Sequence, residues 1–400
     1  MNTEGVGRRI AYWREHRGLT QAEFGRLMGQ SRRWVQDWEG GQRQSDPRLS
    51  VMLRAAEVLR IPLERLVTNP SPASAGAPMP AEVAALADAL HDLPSIERAA
   101  APPSLTELRR RLAFASHAWV ACHYVATARE LPGLLADAHL AAASSVEGAT
   151  LLSRTYQLAA SLLYKYSGNT CTPGVLAADR ALAAAHQSGD PVVIGSASRR
   201  VARGLIHQQR HATATEYATA QADALRPVLE RAGTPGLSAL GMLYLVAAVG
   251  ASGSERSQAA VSVATDRLDA AAEIAERQGD RPAEDFTAFG STNVALHEVD
   301  VLLRLDDAWA AVEAGRRITT EDLARLNRER RARHLVTKAR ALALTGRREE
   351  ATAALVAAER LAPEEVRRPA VVGVVRELLL LVPSPGAELR GLAERCGLRA

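Results

Sequence analysis

From about residue 81 to residue 400, long runs of Ala, Leu, Arg and Glu alternate with short breaks, and no period-two alternation of apolar and polar residues interrupts them. The breaks fall at Gly168, at Gly189-Asp190-Pro191, at Gly233 to Gly236, at Gly279-Asp280, at Gly346 and at Pro363. Glycine ends a helix by adopting a left-handed cap, and proline cannot donate to the preceding turn. Helices cut at such intervals form pairs. Each pair buries its apolar stripe by stacking on the next, with alanine where neighbours approach closely. The pattern predicts an all-α fold with an α-solenoid over this region, a generic helical bundle being the alternative. TGRREEATAALVAAERLAP, Thr345 to Pro363, reads as the turn and second helix of one unit, and VLAADRALAAAHQSGDP, Val175 to Pro191, as another.

The N-terminal region is built differently. In LTQAEFGRLMGQSRRWVQDWE, Leu19 to Glu39, Thr20 and Glu23 form a capping box that starts a helix, with Ala22, Leu27 and Met28 as its apolar face. Gly29 stops it, and Ser31 caps a second, shorter helix. Val35 and Trp38 then point inward, which leaves Arg32, Arg33, Gln36 and Asp37 facing out. A short helix with Arg and Gln at its start suits a major groove, because Arg bonds guanine O6 and N7 through two donors at once. Charge agrees: residues 1 to 67 hold twelve arginines against eight acids, whereas the rest of the chain holds 37 of each. The whole formal excess of +4 therefore sits in the head.

These residues resemble the phage-repressor or Xre/Cro-type helix-turn-helix family over roughly residues 5 to 67, most specifically in LTQAEF and WVQDWEGG. The resemblance implies a five-helix lambda-repressor-like domain that binds double-stranded DNA. It places Gln21 on a phosphate, Ser31, Arg32, Arg33, Gln36 and Asp37 on the recognition helix, and Gln42 and Arg43 on a phosphate-contacting loop. Asp46-Pro47 would open a fourth helix through Leu53 and Leu59, and Ile61 to Leu66 would form the fifth. Two residues depart from the pattern. Trp34 either touches a thymine methyl or sugar or packs on a neighbouring helix, and Asp37 either accepts from cytosine N4 or pairs with Arg33. A charge of +4 is modest for one copy, so a homodimer with two recognition helices about one DNA turn apart is expected.

The combination resembles actinobacterial helix-turn-helix regulators with a C-terminal tetratricopeptide region, chiefly in FGSTNVALHEVDVLLRLDDAWAA, which ends at Ala311. More distantly it is similar to the peptide-pheromone receptors of Gram-positive bacteria, in which an Asn on an inner helix clamps the peptide backbone. Asn293 takes that place by resemblance.

The residues themselves supply a second argument for a ligand groove. Asn293 and His297 lie four apart on one helix face, and an amide both donates to and accepts from a peptide backbone. No acid occurs between Asp190 and Glu216, and Arg199, Arg203 and His207 fall on one stripe. On a concave surface the stripe suits a carboxylate, a phosphate or an acidic peptide; otherwise it is a solvated helix face. Asn293 and His297 otherwise serve as an inter-helix hydrogen bond. Tyr156, Tyr164, Tyr217 and Tyr244 either line the same groove or cap core layers, and the Arg-rich run Arg325 to Arg340 is expected to face solvent.

Enzymatic chemistry finds little support. His297-Glu298 lacks the second His of a zinc protease helix, no Gly-rich loop cradles phosphate, and Cys122, Cys171 and Cys396 lack metal spacing. No catalytic residue, metal or cofactor is expected. The three cysteines and the absence of a secretory signal fit the cytoplasm. The uncharged run Ala232 to Ser254 contains Pro235 and five glycines and reads as a buried helix with its preceding turn rather than a membrane span. The expected layout is a DNA-binding domain at 1–68, a Pro/Ser/Ala linker at 69–80 and a helical sensor and dimerisation domain at 81–400. Together these readings predict a regulator whose ligand is a peptide or small molecule. Two alternatives are a protein-docking adaptor and a ligand-independent dimeric repressor.

Overall fold

The computed structural model describes residues 6–40, 49–61, 63, 66, 79–91, 104–166, 171–254, 257–279, 287–382 and 385–398. Among them every regular element is an α-helix, so the all-α expectation holds. Gln42, Arg43, Asp46-Pro47, Gly168, Asp280 and most of the linker lie outside the described residues, as does most of the expected fifth helix.

The head comprises α1 (Val6–His16), α2 (Gln21–Met28), α3 (Arg32–Glu39) and α4 (Leu49–Leu59) around a core of Ile10, Trp13, Phe24, Val35, Trp38, Met52 and Leu59. Leu66 closes that core. The capping box forms as expected: Thr20 Oγ1 accepts from the Glu23 N–H, and Glu23 Oε2 accepts from the Thr20 N–H. Gly29 ends α2 with φ +69°. The apolar face of α2 differs from the expectation, because its buried residues are Phe24, Gly25 and Met28. At 100° per residue these three form one stripe, and Ala22 and Leu27 fall on its flanks, where both are exposed. Close packing of α1 on α3 depends on Gly7, where a Cβ would sit 2.1 Å from the Trp38 carbonyl oxygen.

The larger region runs through α5 (Ala81–Ala89), α6 (Leu105–Val120), α7 (Tyr124–Ala142), α8 (Val146–Tyr166), α9 (Thr172–Ser188), α10 (Pro191–His207), α11 (His211–Arg231), α12 (Gly233–Ser252) and α13 (Gln258–Gln278). It continues through α14 (Ser291–Arg304), α15 (Ala308–Arg316), α16 (Thr320–Ala324), α17 (Arg328–Leu344), α18 (Arg348–Leu361), α19 (Pro363–Val366), α20 (Pro369–Leu381) and α21 (Ala387–Arg395). Successive helices pack as hairpins, and the first member of each hairpin also packs on the first of the next, in the order α6, α8, α10, α12, α14, α17. These inner helices begin at residues 105, 146, 191, 233, 291 and 328, at irregular intervals all longer than the roughly 34 residues of a tetratricopeptide pair. The pairs do not extend into an open arc. Helix α17 packs against α6, and α20 against α8, so the stack closes into a ring.

Helix α12 is the uncharged run. Of its most apolar stretch, 83% is buried inside the fold, against α10, α11, α13 and α14. Its hydrophobicity is thus satisfied by four neighbouring helices. The expected turn precedes it at Ala232 and Gly233, the latter with φ +68°, and Gly236, Gly241 and Gly250 lie within the helix.

Candidate nucleic-acid interface and inner groove

On the head, Ser31 Oγ accepts from the Trp34 N–H and caps α3, which fixes the direction in which the helix leaves the turn. Val35 and Trp38 are buried, whereas Arg32, Arg33 and Gln36 are exposed and Asp37 is half-buried. The expected outward face therefore forms, with two arginines and a carboxamide along one side of a short helix. Trp34 is half-buried, its ring 4.7 Å from that of Trp38, so the indole packs within the head. Ser31 acts on the backbone as a cap.

Gln21 reaches the same region from α2, and a network missed in the sequence holds it there. Its Nε2 donates to Glu39 Oε2 at 2.9 Å, and Glu39 accepts a two-pronged contact from Arg14 at 2.6 and 3.0 Å. The Arg14 and Glu39 side chains are each 7% exposed. A hydrogen-bonded pair of this kind sets the rotamer of the carboxamide beside α3. The only signal in the sequence would have been an Arg on α1 and a Glu ending α3, 25 residues apart.

The ring interior sorts the ligand candidates into two groups. Asn293 is fully buried, with Nδ2 3.5 Å from Met242 Sδ on α12 and Oδ1 lacking a hydrogen-bond partner among the described residues. Tyr244 is fully buried too, and its hydroxyl turns toward α11, where it meets Arg226 and Asp223. Neither borders an open groove, which corrects the expectation for both. Helix–helix packing at α12 and α14 consumes their side chains before any ligand can reach them. Tyr156 and Tyr164 are core residues as well.

Arg199, Arg203 and His207 are not a solvated face. Arg199 is 8% exposed, and His207 stacks on the Tyr164 ring with centroids 4.6 Å apart. Burial, reinforced by Arg333 and Arg304 across the interior, pushes the Arg203 guanidinium down to about 9. Burial and the charges of Arg203 and Arg304 push His207 down to about 3, so it is neutral at physiological pH. His297 joins this group from α14, pushed down to about 3 by burial and Arg330, with Nδ1 2.8 Å from the Asn293 carbonyl. A cavity of about 30 Å³ remains between His297, Asp300, Arg330, Arg333 and His334, room for about one water.

Helix α17 splits the Arg-rich run: Arg325, Arg328 and Arg340 are exposed as expected, but part of the run turns inward. Glu329 is buried, with Arg330 beside it and Arg333 half-buried, because closure of the ring turns this face inward. Lys165 Nζ donates to Glu329 Oε1 at 2.7 Å and to Glu365 Oε2 at 2.9 Å. Glu365 also accepts from Tyr124 Oη at 2.5 Å and from Arg368. These bonds join α7 and α8 to α17 and α19. Burial opposes ionisation of Glu329, and the Lys165, Arg330 and Arg333 charges overcome it and hold the carboxyl well below the usual range. That Lys165 is one of two lysines in an arginine-rich chain was the one visible hint of this cluster.

The inner surface opens more widely between α6, α8 and α10, in a cavity of about 360 Å³ that Arg199 lines. The described residues contain no cluster of His, Cys, Asp and Glu suited to a metal, and the three cysteines are unpaired. No curated protein matches the chain. A helix-turn-helix family model matches residues 10–66, the span that carries the capped α2, the Gly29 turn and the outward arginines of α3, and the head is accordingly an Xre-like helix-turn-helix DNA-binding domain.

Proposed function

We propose that this chain is a sequence-specific DNA-binding transcriptional regulator of the cytoplasm that acts as a homodimer and whose helical ring senses a peptide or small molecule. The observation that carries the DNA-reading part is the arrangement of α3, with Arg32, Arg33 and Gln36 exposed while Val35 and Trp38 anchor the helix in the core. Arg33 and Arg32 take the base-reading role, Gln21 the phosphate, and Gln42 and Arg43 the following loop. Residues 1–68 form the head, 69–80 the linker and 81–400 the sensor. The ring is a receptor rather than an enzyme in this reading, with cationic side chains converging on its interior in place of a nucleophile and base. A ligand regulates only through different affinities for two arrangements of the paired heads.

The test is retention of fragmented genomic DNA by the purified protein at moderate salt, followed by sequencing. An inverted-repeat motif is expected, with half-sites about one turn apart. Diffuse retention that vanishes as salt rises overturns sequence-specific binding and leaves only phosphate contacts.

A second reading has one observation in its favour. Between His297, Asp300, Arg330 and Arg333 the interior leaves only about 30 Å³, as in a ring that only pairs the heads. The cavity lined by Arg199 favours the sensor instead.

A further inference from the structure

The small cavity between α14 and α17 gathers donors that find no acceptor. Arg330, Arg333, His334 and Thr337 reach it from α17, and His297 and Asp300 from α14. The guanidinium groups of Arg330 and Arg333 approach Glu329 at 3.7 and 3.8 Å, beyond hydrogen-bond distance, and neither bonds to another acceptor among the described residues. His334 is 5% exposed, and its Nδ1 also lacks a partner among the described residues. Burial and Lys338 push this imidazole down to about 4, so at neutral pH it is uncharged and can carry its proton on Nδ1. His297 offers the cavity no donor while neutral, because its Nδ1–H goes to the Asn293 carbonyl at 2.8 Å.

The charges are unbalanced in the same direction. Asp300 is bonded to Arg304 at 2.9 Å and Glu329 to Lys165 at 2.7 Å, so each carboxylate already has a cation of its own. Arg330 and Arg333 share Glu329 only at the longer distances. Arg203 adds a third guanidinium across the interior, where burial, Arg333 and Arg304 disfavour its charge. Enclosed like charges and unmade hydrogen bonds are both costly, and a single anion relieves both. A water would satisfy donors and leave the charge. The space of about 30 Å³ is that of roughly one water, so it admits a monatomic ion and excludes a phosphate or an organic acid.

We propose that this cavity binds one halide-sized inorganic anion, held by the donors of Arg330, Arg333 and His334. The site goes beyond the sensor reading and is independent of DNA. Its occupant offsets the repulsion among Arg203, Arg330 and Arg333 that opposes packing of α10, α14 and α17 around the interior.

The test is thermal unfolding of the full chain at neutral pH, with sodium chloride titrated from zero against sodium gluconate at constant ionic strength. Gluconate is too large for the cavity. The melting temperature of the ring is expected to rise saturably with chloride, by about 2–4 °C, and bromide is expected to replace it. Arg333→Gln is expected to raise the half-saturating chloride concentration about tenfold or more, whatever it does to the melting temperature itself. That readout separates loss of the ion from damage to the fold. Arg360→Gln, on the exposed side of α18, is the control and should keep the parent response. A melting temperature indifferent to the exchange of gluconate for chloride overturns the proposal and assigns the cavity to water. A chloride response that Arg333→Gln leaves unchanged overturns it as well, by placing the ion elsewhere.

Discussion

Lys165 and Glu329 meet at 2.7 Å although 164 residues separate them, and both side chains are at most 8% exposed. The pair fastens α8, in the second hairpin of the ring, to α17, in the sixth. Removing two charges from water is costly, and only the additional bonds from Glu365, Arg330 and Arg333 make the cluster tolerable.

Lys165→Met is therefore expected to destabilise the ring by about 3–5 kcal/mol, because it leaves Glu329 and Glu365 buried with their main cation gone. Adding Glu329→Met should recover a large part of the loss by removing one stranded charge. Urea unfolding of the two variants checks this. Equal stability of Lys165→Met and the parent protein would show that the cluster contributes nothing net.

Acid should loosen the ring well before carboxylates titrate. His207 and His297 are pushed down to about 3, and His334 to about 4 by burial and Lys338. An unfolded histidine titrates near 6.5, so between about 6.5 and 4 the unfolded chain binds more protons than the folded one. Stability is complete above about 6.5 and falls as pH drops, by up to about 1.4 kcal/mol per pH unit for each such histidine. Unfolding free energies at a series of pH values measure the slope. His207→Gln should flatten it, and a flat profile in the parent protein contradicts the buried, neutral state.

Arg33→Ala should lose about 1–3 kcal/mol on specific DNA and much less on random sequence, because a base contact discriminates and a phosphate contact does not. Competition binding at fixed salt separates the two. Equal losses on both DNAs rule out base reading by Arg33. Trp34→Ala, by contrast, should act through head stability, since its ring packs on Trp38.

Gly7→Ala should unfold the head selectively. The added Cβ would fall 2.1 Å from the Trp38 carbonyl oxygen, a backbone atom that cannot move without shifting α3. A destabilisation of at least about 1–3 kcal/mol is expected, with loss of DNA binding. Retained DNA affinity and an unchanged melt would mean that α1 and α3 separate at little cost.

Local patterns carried much of the head and the element boundaries. Thr20 with Glu23, Gly29 and Ser31 specified where α2 and α3 begin and end, because caps act over three or four residues. The period of Val35 and Trp38 identified the outward face of α3 correctly. The same reasoning misplaced the buried face of α2, where Ala22 is apolar yet points away from the core. It also left Arg199, Arg203 and His207 undecided between groove and solvent, since a basic stripe reads alike in either setting.

By itself the sequence determined the helical class, some of the turns that separate the helices, and an outward face of basic and polar residues on a short capped helix. Those features depend on propensity, capping and periodicity within a few residues of each position. Only the tertiary structure decided that the hairpins close into a ring, that Asn293 and Tyr244 are consumed by packing, and that Lys165 finds Glu329 and Glu365. Asn293 and Tyr244 meet neighbouring helices 51 and 18 residues away, whereas the ring closure and the Lys165 contacts follow from small rotations between successive helix pairs, which accumulate over more than a hundred residues before distant side chains meet. No local pattern encodes that sum.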